Sequence, residues 1–351
     1  MRKLLFIPLI IALFLLSTWF TQESAETSTV LKIRGVAMTV PYEVQVPFQI
    51  NQEEKKEVMA TIEGVFQEVD QKYNRWNPKS EIGFLNDHMQ IEAPISLSPS
   101  LLQFLKETDY LVRLSQNRFD PTVEPLKQLW KNYAALGVTP PKEELEAAKQ
   151  SVGWENITLD HDLGISTKNS DTRIDLDGIA KGYAVDLILE RLSQNGLESI
   201  YVEWGGEIRC YGQHPEGRPW RIFISRMGDP DPEHAIATID LDQRALATSG
   251  DYNQIWNLKT PEGDEIEVCH IIDPISKEPL KIREDGISSV SVLTRKCFVA
   301  DALATAAMMF ERGEEASAWV QEVQKEIPDL ETWIFTRNGK LFHNPRVNHD
   351  L

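Results

Sequence analysis

The sequence predicts an α+β fold, with a single mixed domain over residues 30–351. Three observations predict it: helix-spaced apolar residues dominate the first half, short β-type runs dominate the second, and no repeat or low-complexity linker separates them. Tyr42, Val44, Val46 and Phe48 alternate with other residues, as a half-buried strand requires. Val58, Ile62, Phe66, Val69 and Tyr73 follow at three- and four-residue steps, which is helical spacing. A second helix is predicted from Ser98, an N-cap type of residue, and carries Leu101, Leu105 and Leu111. Val138 to Lys149, with Pro140-Pro141 and several Glu, reads as a surface helix and its loop. Ile179 to Leu192 is predicted helical and stops at Asn195-Gly196. Short β runs follow at Ser199 to Val202, Trp220 to Ser225, Ile236 to Leu241, Ile266 to Ile272 and Ile287 to Leu293. Cys297 to Phe310 is predicted as a helix rich in Ala and Met. A hairpin turning at Arg337-Asn338-Gly339 then closes the chain, with strands at Thr332 to Thr336 and Lys340 to Phe342.

The charge balance narrows the possible partners. The 351 residues carry 36 Lys and Arg against 54 Asp and Glu, a net charge of −18. Such a chain repels phosphate backbones, which excludes nucleic acid as a partner. An anionic ligand must then be held by local cations, helix N-termini or a metal. Cys210, Cys269 and Cys297 lack CxxC spacing and are too few for a disulfide scaffold or a structural zinc site, so buried or free thiols are expected. At the N-terminus Arg2-Lys3 precede a charge-free run from Leu4 to Phe20. That is the form of a signal or anchor segment over residues 1–20, followed by a polar spacer over 21–29. It predicts export, an inner-membrane anchored or periplasmic location, and a membrane contact through this segment. Cleavage is left open.

Three short stretches combine Gly, carboxylates and hydroxyls in ways that packing alone does not require. In Arg173 to Gly182 a β-like entry meets Gly178 and then a helix start, where free N–H groups favour an anion and Lys181 adds a full charge. An acidic N-cap followed by an exposed lysine is the alternative. Asp301 and Thr305 are four apart on a predicted helix and share one face. A carboxylate with a hydroxyl suits Mg²⁺, while an N-terminal acidic residue with a packed Thr is the structural account that the pair alone favours. His270 ends a strand and reads either as a satisfied structural imidazole or as a general base.

Taken in order, seven strings resemble the ApbE-type family of FAD:protein FMN transferases. They are RFDPTV at Arg118 to Val123, DLDGIAKGYAVD at Asp175 to Asp186, WGGEIR at Trp204 to Arg209, GRPWRI at Gly217 to Ile222, ATSGDY at Ala247 to Tyr252, HIIDP at His270 to Pro274 and ADALATA at Ala300 to Ala306. The resemblance implies an ApbE-like fold with FAD in a central cleft and Mg²⁺ at the diphosphate. The implied reaction moves the FMN part of FAD to a Thr or Ser hydroxyl of an acceptor protein, a membrane-bound or exported flavoprotein subunit, and releases AMP. By motif, Met38 and Trp76 would line the flavin side, and Arg118, Phe119 and Asp120 would form another wall. Asp175, Lys181 and Ile272 would complete the FAD pocket. The Gly178 carbonyl, Asp301 and Thr305 would hold Mg²⁺. His270 would act as the base, with Asp301 sharing that catalytic role.

The chain departs from the family pattern at three positions. Thr39 replaces a Gly after Met38, Glu124 stands where a Gly often follows the FDPTV-like string, and Asp177 replaces a Gly in the DLGGIAKG-like string. Asp177 adds a carboxylate near the implied diphosphate, which would either help hold metal or weaken FAD. Three other activities stay open on sequence alone: FAD storage without transfer, hydrolysis of FAD to FMN and AMP, and a structural role that keeps only the fold.

Overall fold

The computed structural model describes residues 29–160, 164–225, 231–252 and 254–347. The predicted export segment over residues 1–20 lies outside the described residues. Among those described, no helix is long and apolar enough to cross a membrane. All three cysteines are free and buried.

β1 (Val30–Ala37) and β2 (Val40–Pro47) pair as an antiparallel hairpin. Their turn is Met38-Thr39, with φ of 47° and 69°. Positive φ at both turn positions suits the twist of paired strands but is uncommon for a β-branched residue. Thr39 therefore sits in a conformation that a Gly would adopt without strain. Phe48 lies beyond β2 and is exposed, so the predicted strand stops one residue early.

α1 (Gln52–Lys72) starts at Asn51, whose side chain accepts from Glu53 and Glu54 N–H while the Glu54 carboxylate accepts from Asn51 N–H. α2 (Glu81–His88) and α3 (Pro99–Leu114) are capped by Ser80 and Ser98, the second as predicted. α4 (Glu124–Ala134) follows a single 3₁₀ turn at Pro121–Val123, and α5 (Lys142–Gln150) is the predicted surface helix. β3 (Ile157–Asp160) and β4 (Gly164–Thr167) form a small hairpin before α6 (Ala180–Gln194).

β5 (Ile200–Trp204), β6 (Glu207–Tyr211), β9 (Ala245–Gly250), β13 (Ile287–Thr294), β14 (Glu331–Thr336) and β15 (Leu341–Asn344) join the first hairpin. The eight strands run in the order β1-β2-β5-β6-β9-β13-β14-β15, with antiparallel neighbours. β13 is buried along its whole length because both sheet faces are covered. Val290 and Val292 meet the large core under α6 and α7 (Cys297–Ala307). Leu293, on the opposite parity, meets Trp333 and the hairpin of β7 (Trp220–Ile224) and β8 (Ala237–Leu241). α7 ends at Ala307 rather than the predicted Phe310, and the Phe310 ring packs on Trp319 of α8 (Gly313–Val323). A separate three-stranded sheet, β10 (Ile255–Lys259), β11 (Glu265–Asp273) and β12 (Glu278–Lys281), packs on α4 through Leu126, Trp130, Leu258, Val268 and Ile272.

α6 and α7 clasp each other. The N-cap of α7, Lys296, makes no side-chain cap bond. Asp186 of α6 does that work, accepting from Cys297 N–H at 3.0 Å and Phe298 N–H at 3.1 Å, and Arg209 binds the same carboxylate at 2.6 Å. In return Gly182 N–H donates to Asp301 Oδ2 of α7 at 3.1 Å. The approach requires glycine, because a Cβ on Gly182 would lie 2.5 Å from the Cys297 carbonyl oxygen. Gly182→Ala should therefore separate the helices and destabilise the fold by about 1–3 kcal/mol, the usual cost of overpacking. Urea unfolding measures this, and an unchanged midpoint would show that the approach is not tight in solution.

Candidate active site

One cleft of about 570 Å³ lies between the α4–β11 layer and the α6–α7 pair. Its lining includes Trp76, Arg118, Phe119, Asp120, Asp175, Gly178, Lys181, His270, Ile272, Asp301 and Thr305, so almost every site residue expected from sequence converges there. Met38 is the exception. It packs against the main core, and Thr39 takes the place facing the cleft.

The floor is a buried charge cluster. Lys181 pairs with Glu207 Oε1, and Asp301 lies close enough to act on the same charge. Burial works against the Lys181 ammonium, yet Asp301 and Glu207 hold its pKa above that of an ordinary lysine. Burial pushes Glu207 up to about 8 against the pull of Lys181. Asp301 is likewise raised by burial, with Lys181 and the Gly182 N–H opposing. Thr305 exchanges a 3.1 Å hydrogen bond with Ser249, and a Cβ on Gly178 would lie 3.4 Å from Thr305 Oγ1. Gly178, Asp301 and Thr305 all line this corner of the cleft, with a backbone carbonyl, a carboxylate and a hydroxyl among their groups.

These are hard oxygen donors of the kind Mg²⁺ takes, with one carboxylate and room for the waters the ion keeps. Glu207 Oε2 is buried beside them with no hydrogen-bond partner among the described residues. A buried orphan acceptor is a cost unless a bound group satisfies it. The donor set therefore fits Mg²⁺.

The walls differ in character. Asp120 is fully engaged in structure: Oδ1 accepts from Thr122 N–H and Oγ1, and Oδ2 accepts from Trp154 N–H. Its part is to shape the wall that carries Phe119. The Arg118 guanidinium lies 4.0 Å over the Phe310 ring, and its Nε has no hydrogen-bond partner among the described residues. On the opposite wall His270 Nδ1 is also buried without such a partner. Burial, helped by the charge of Lys127, lowers the His270 pKa below its ordinary value, so the ring is neutral at pH 7. Asp175 is tied to Lys127 at 2.6 Å and to Arg75 at 3.0 Å. Despite burial, those two cations bring it down to about 2.

The sequence profile of the ApbE family matches residues 38–330. The chain belongs to the ApbE family. Among its ApbE relatives, the FAD:protein FMN transferase of Chlamydia pneumoniae is 38% identical over 300 residues, covering 85% of this chain and 90% of that protein. The Vibrio cholerae FAD:protein FMN transferase is 33% identical, with 85% and 86% covered. The solved flavin transferase ApbE from Vibrio cholerae superposes with a TM-score of 0.74 at 30% identity, covering 90% of this chain and 97% of that one. The α+β fold expected from sequence is thus the ApbE fold.

Arg75 and Lys127 were not expected in the site, and Glu207 and Ser249 had no assigned role. Glu207 was within reach, since it lies in the WGGEIR string, and Ser249 lies in ATSGDY. Arg75 and Lys127 carried no signal beyond adjacency to Trp76 and to the turn after Arg118. Their partners lie at distant positions.

Lys181 also generates a stability prediction. Lys181→Met would leave Glu207 and Asp301 buried without their cation, and removing one partner of a buried pair costs about 3–5 kcal/mol. Both folded-state carboxyl pKa values would then stand well above their unfolded values. The deficit should be full only above those folded values, so it should be larger at pH 8 than at pH 5, where the carboxylates take up protons. Thermal unfolding at the two pH values reads this, and a pH-independent deficit would place the loss in packing alone.

Proposed function

We propose that the protein transfers the FMN moiety of FAD to a Thr or Ser hydroxyl of an acceptor protein, in a Mg²⁺-dependent reaction that releases AMP. The observation that carries this reading is the arrangement of the cleft, with a hard-oxygen corner and a half-buried lysine on the floor and a neutral His270 on the wall. The relatives' shared activity supports it.

The acceptor oxygen attacks the phosphorus on the FMN side of the diphosphate. The bond from that phosphorus to the bridging oxygen breaks, and AMP leaves with the electron pair. His270 lines the cleft, and its neutral imidazole would take the acceptor proton. Lys181 places a permanent positive charge at the floor, where the departing phosphate gains charge. Asp301, Thr305 and the Gly178 carbonyl would hold Mg²⁺, which supplies charge neutralisation and orientation of the diphosphate. Ser249 keeps the Thr305 hydroxyl in place, and Gly182 N–H does the same for Asp301.

Incubation with FAD, Mg²⁺ and a candidate acceptor separates the activities. Flavin that survives denaturation on the acceptor means transfer, free FMN means hydrolysis, and intact bound FAD means storage. Asp301→Asn should remove transfer and any hydrolysis together. His270→Ala should keep FAD binding while transfer falls by about 10²–10⁴-fold, the usual loss of a positioned base. The wild-type rate should decline on the acid side below the ordinary histidine range, and that limb should vanish in His270→Ala. Loss of FAD binding in His270→Ala would make the residue a pocket wall and leave Asp301 as the base.

Export is proposed on the sequence of residues 2–20, together with an acceptor on the same side of the membrane. A reporter fused after Thr29 should be active outside the cytoplasm, and activity confined to the cytoplasm would refute it.

A further inference from the structure

Two of the three departures from the family pattern meet on one guanidinium. Arg75 binds Glu124 through Nη1, and its Nε lies 3.3 Å from Asp177 Oδ2 and 3.0 Å from Asp175 Oδ1. Lys127 closes the cluster, reaching Asp175 at 2.6 Å and Asp177 at 3.3 Å. Asp177 Oδ2 also accepts from the indole N–H of Trp76 at 3.3 Å. That oxygen therefore already faces three donors. The Oδ2 oxygen of the added carboxylate is thus committed to the wall.

Trp76 is the piece this cluster holds. Its side chain is 55% exposed at the cleft mouth, where an indole ordinarily moves among rotamers. Here it is fixed. The Arg75 guanidinium lies 3.8 Å from the ring centroid, Lys131 Nζ lies at 4.6 Å, and Asp177 holds the N–H. Arg75 is itself only 7% exposed and is braced by Glu124 and Asp175 from behind.

We propose that Asp177, which bonds the indole directly, and Glu124, which acts through Arg75, are positioning residues that set Trp76 as a preformed aromatic plate for the flavin ring. The proposal rests on the reading of Trp76 as the flavin wall. A plate ordered before the ligand arrives removes the cost of ordering it on binding. Asp177 fixes the indole edge, and Glu124 keeps the guanidinium against the ring face. The two residues form one device: losing either releases the same side chain.

A double-mutant cycle on the full chain tests this, with FAD affinity at saturating Mg²⁺ and the quenching of bound flavin fluorescence as readouts. Asp177→Gly and Glu124→Gly should each weaken FAD by roughly 3- to 10-fold, the scale of one ordered side chain, and restore part of the flavin emission. In a Trp76→Ala background the same changes should matter less than about twofold, because the plate they act through is gone. Asp177→Asn keeps an acceptor for the indole and should fall between wild type and Asp177→Gly. Equal losses in both backgrounds would overturn the proposal. So would an altered Mg²⁺ requirement that persists without Trp76, which would make Asp177 a metal ligand. If Trp76→Ala alone leaves FAD affinity unchanged, the plate does not exist and the proposal fails. FMN transfer by that variant would still leave the transferase reading standing.

Discussion

The site depends on a reciprocal grip between two helices. α6 lends Asp186 to cap the start of α7, and α7 lends Asp301 to receive the Gly182 N–H of α6. Helix ends leave several N–H groups without internal partners, and a buried end must find them elsewhere. Each helix solves that problem with the other's carboxylate. The geometry works only because residue 182 has no side chain to hold the backbones apart. Once the helices are locked at this distance, Lys181, Asp301 and Thr305 have fixed positions relative to one another. The sheet strands that carry Glu207 and Ser249 pack beneath them.

Electrostatics in the cleft runs against the chain as a whole. A protein of net charge −18 would repel a dinucleotide, so the cleft concentrates cations where the ligand must sit. Arg75, Arg118, Lys127, Lys131 and Lys181 all line it. They are not equivalent. Arg75 and Lys127 are committed to Asp175, Asp177 and Glu124 and serve the wall. Lys181 is half-buried between the buried carboxylates of Glu207 and Asp301. Arg118 keeps a donor without a hydrogen-bond partner among the described residues. On the floor two carboxylates, Glu207 and Asp301, face the single cation of Lys181, which is why a divalent ion suits it.

The sequence made the local features legible and the distant ones mute. Asp301 and Thr305 could be paired because helical spacing puts them on one face, and α7 does so. Ser98 announced its helix because a cap acts within three residues. α2, with only eight residues, and α4, with only Leu126 and Trp130 buried, gave too short a periodic signal. β1, β3, β4, β6, β9, β10 and β12 were missed because strand identity depends on the partner across the ladder. Asp186 lay inside a quoted string, yet its role as a cap for a helix 111 positions later is a property of the fold. The same holds for Arg75, whose contact with Asp177 spans 102 positions. The turn at Met38-Thr39 shows the limit of carrying a motif across. The substitution at position 39 keeps the hairpin, while the side chain facing the cleft is that of Thr39.

The central claim is that the floor formed by Lys181, Glu207, Asp301 and Thr305 becomes a diphosphate site when a divalent cation joins it. Calorimetric titration of FAD into the protein, with and without Mg²⁺, tests this directly. Because binding free energies are reciprocal, FAD and Mg²⁺ should each tighten the other by a common factor, roughly 5- to 150-fold. FAD affinity that is indifferent to Mg²⁺ would contradict the account, because the oxygen corner would then take no part in holding the diphosphate.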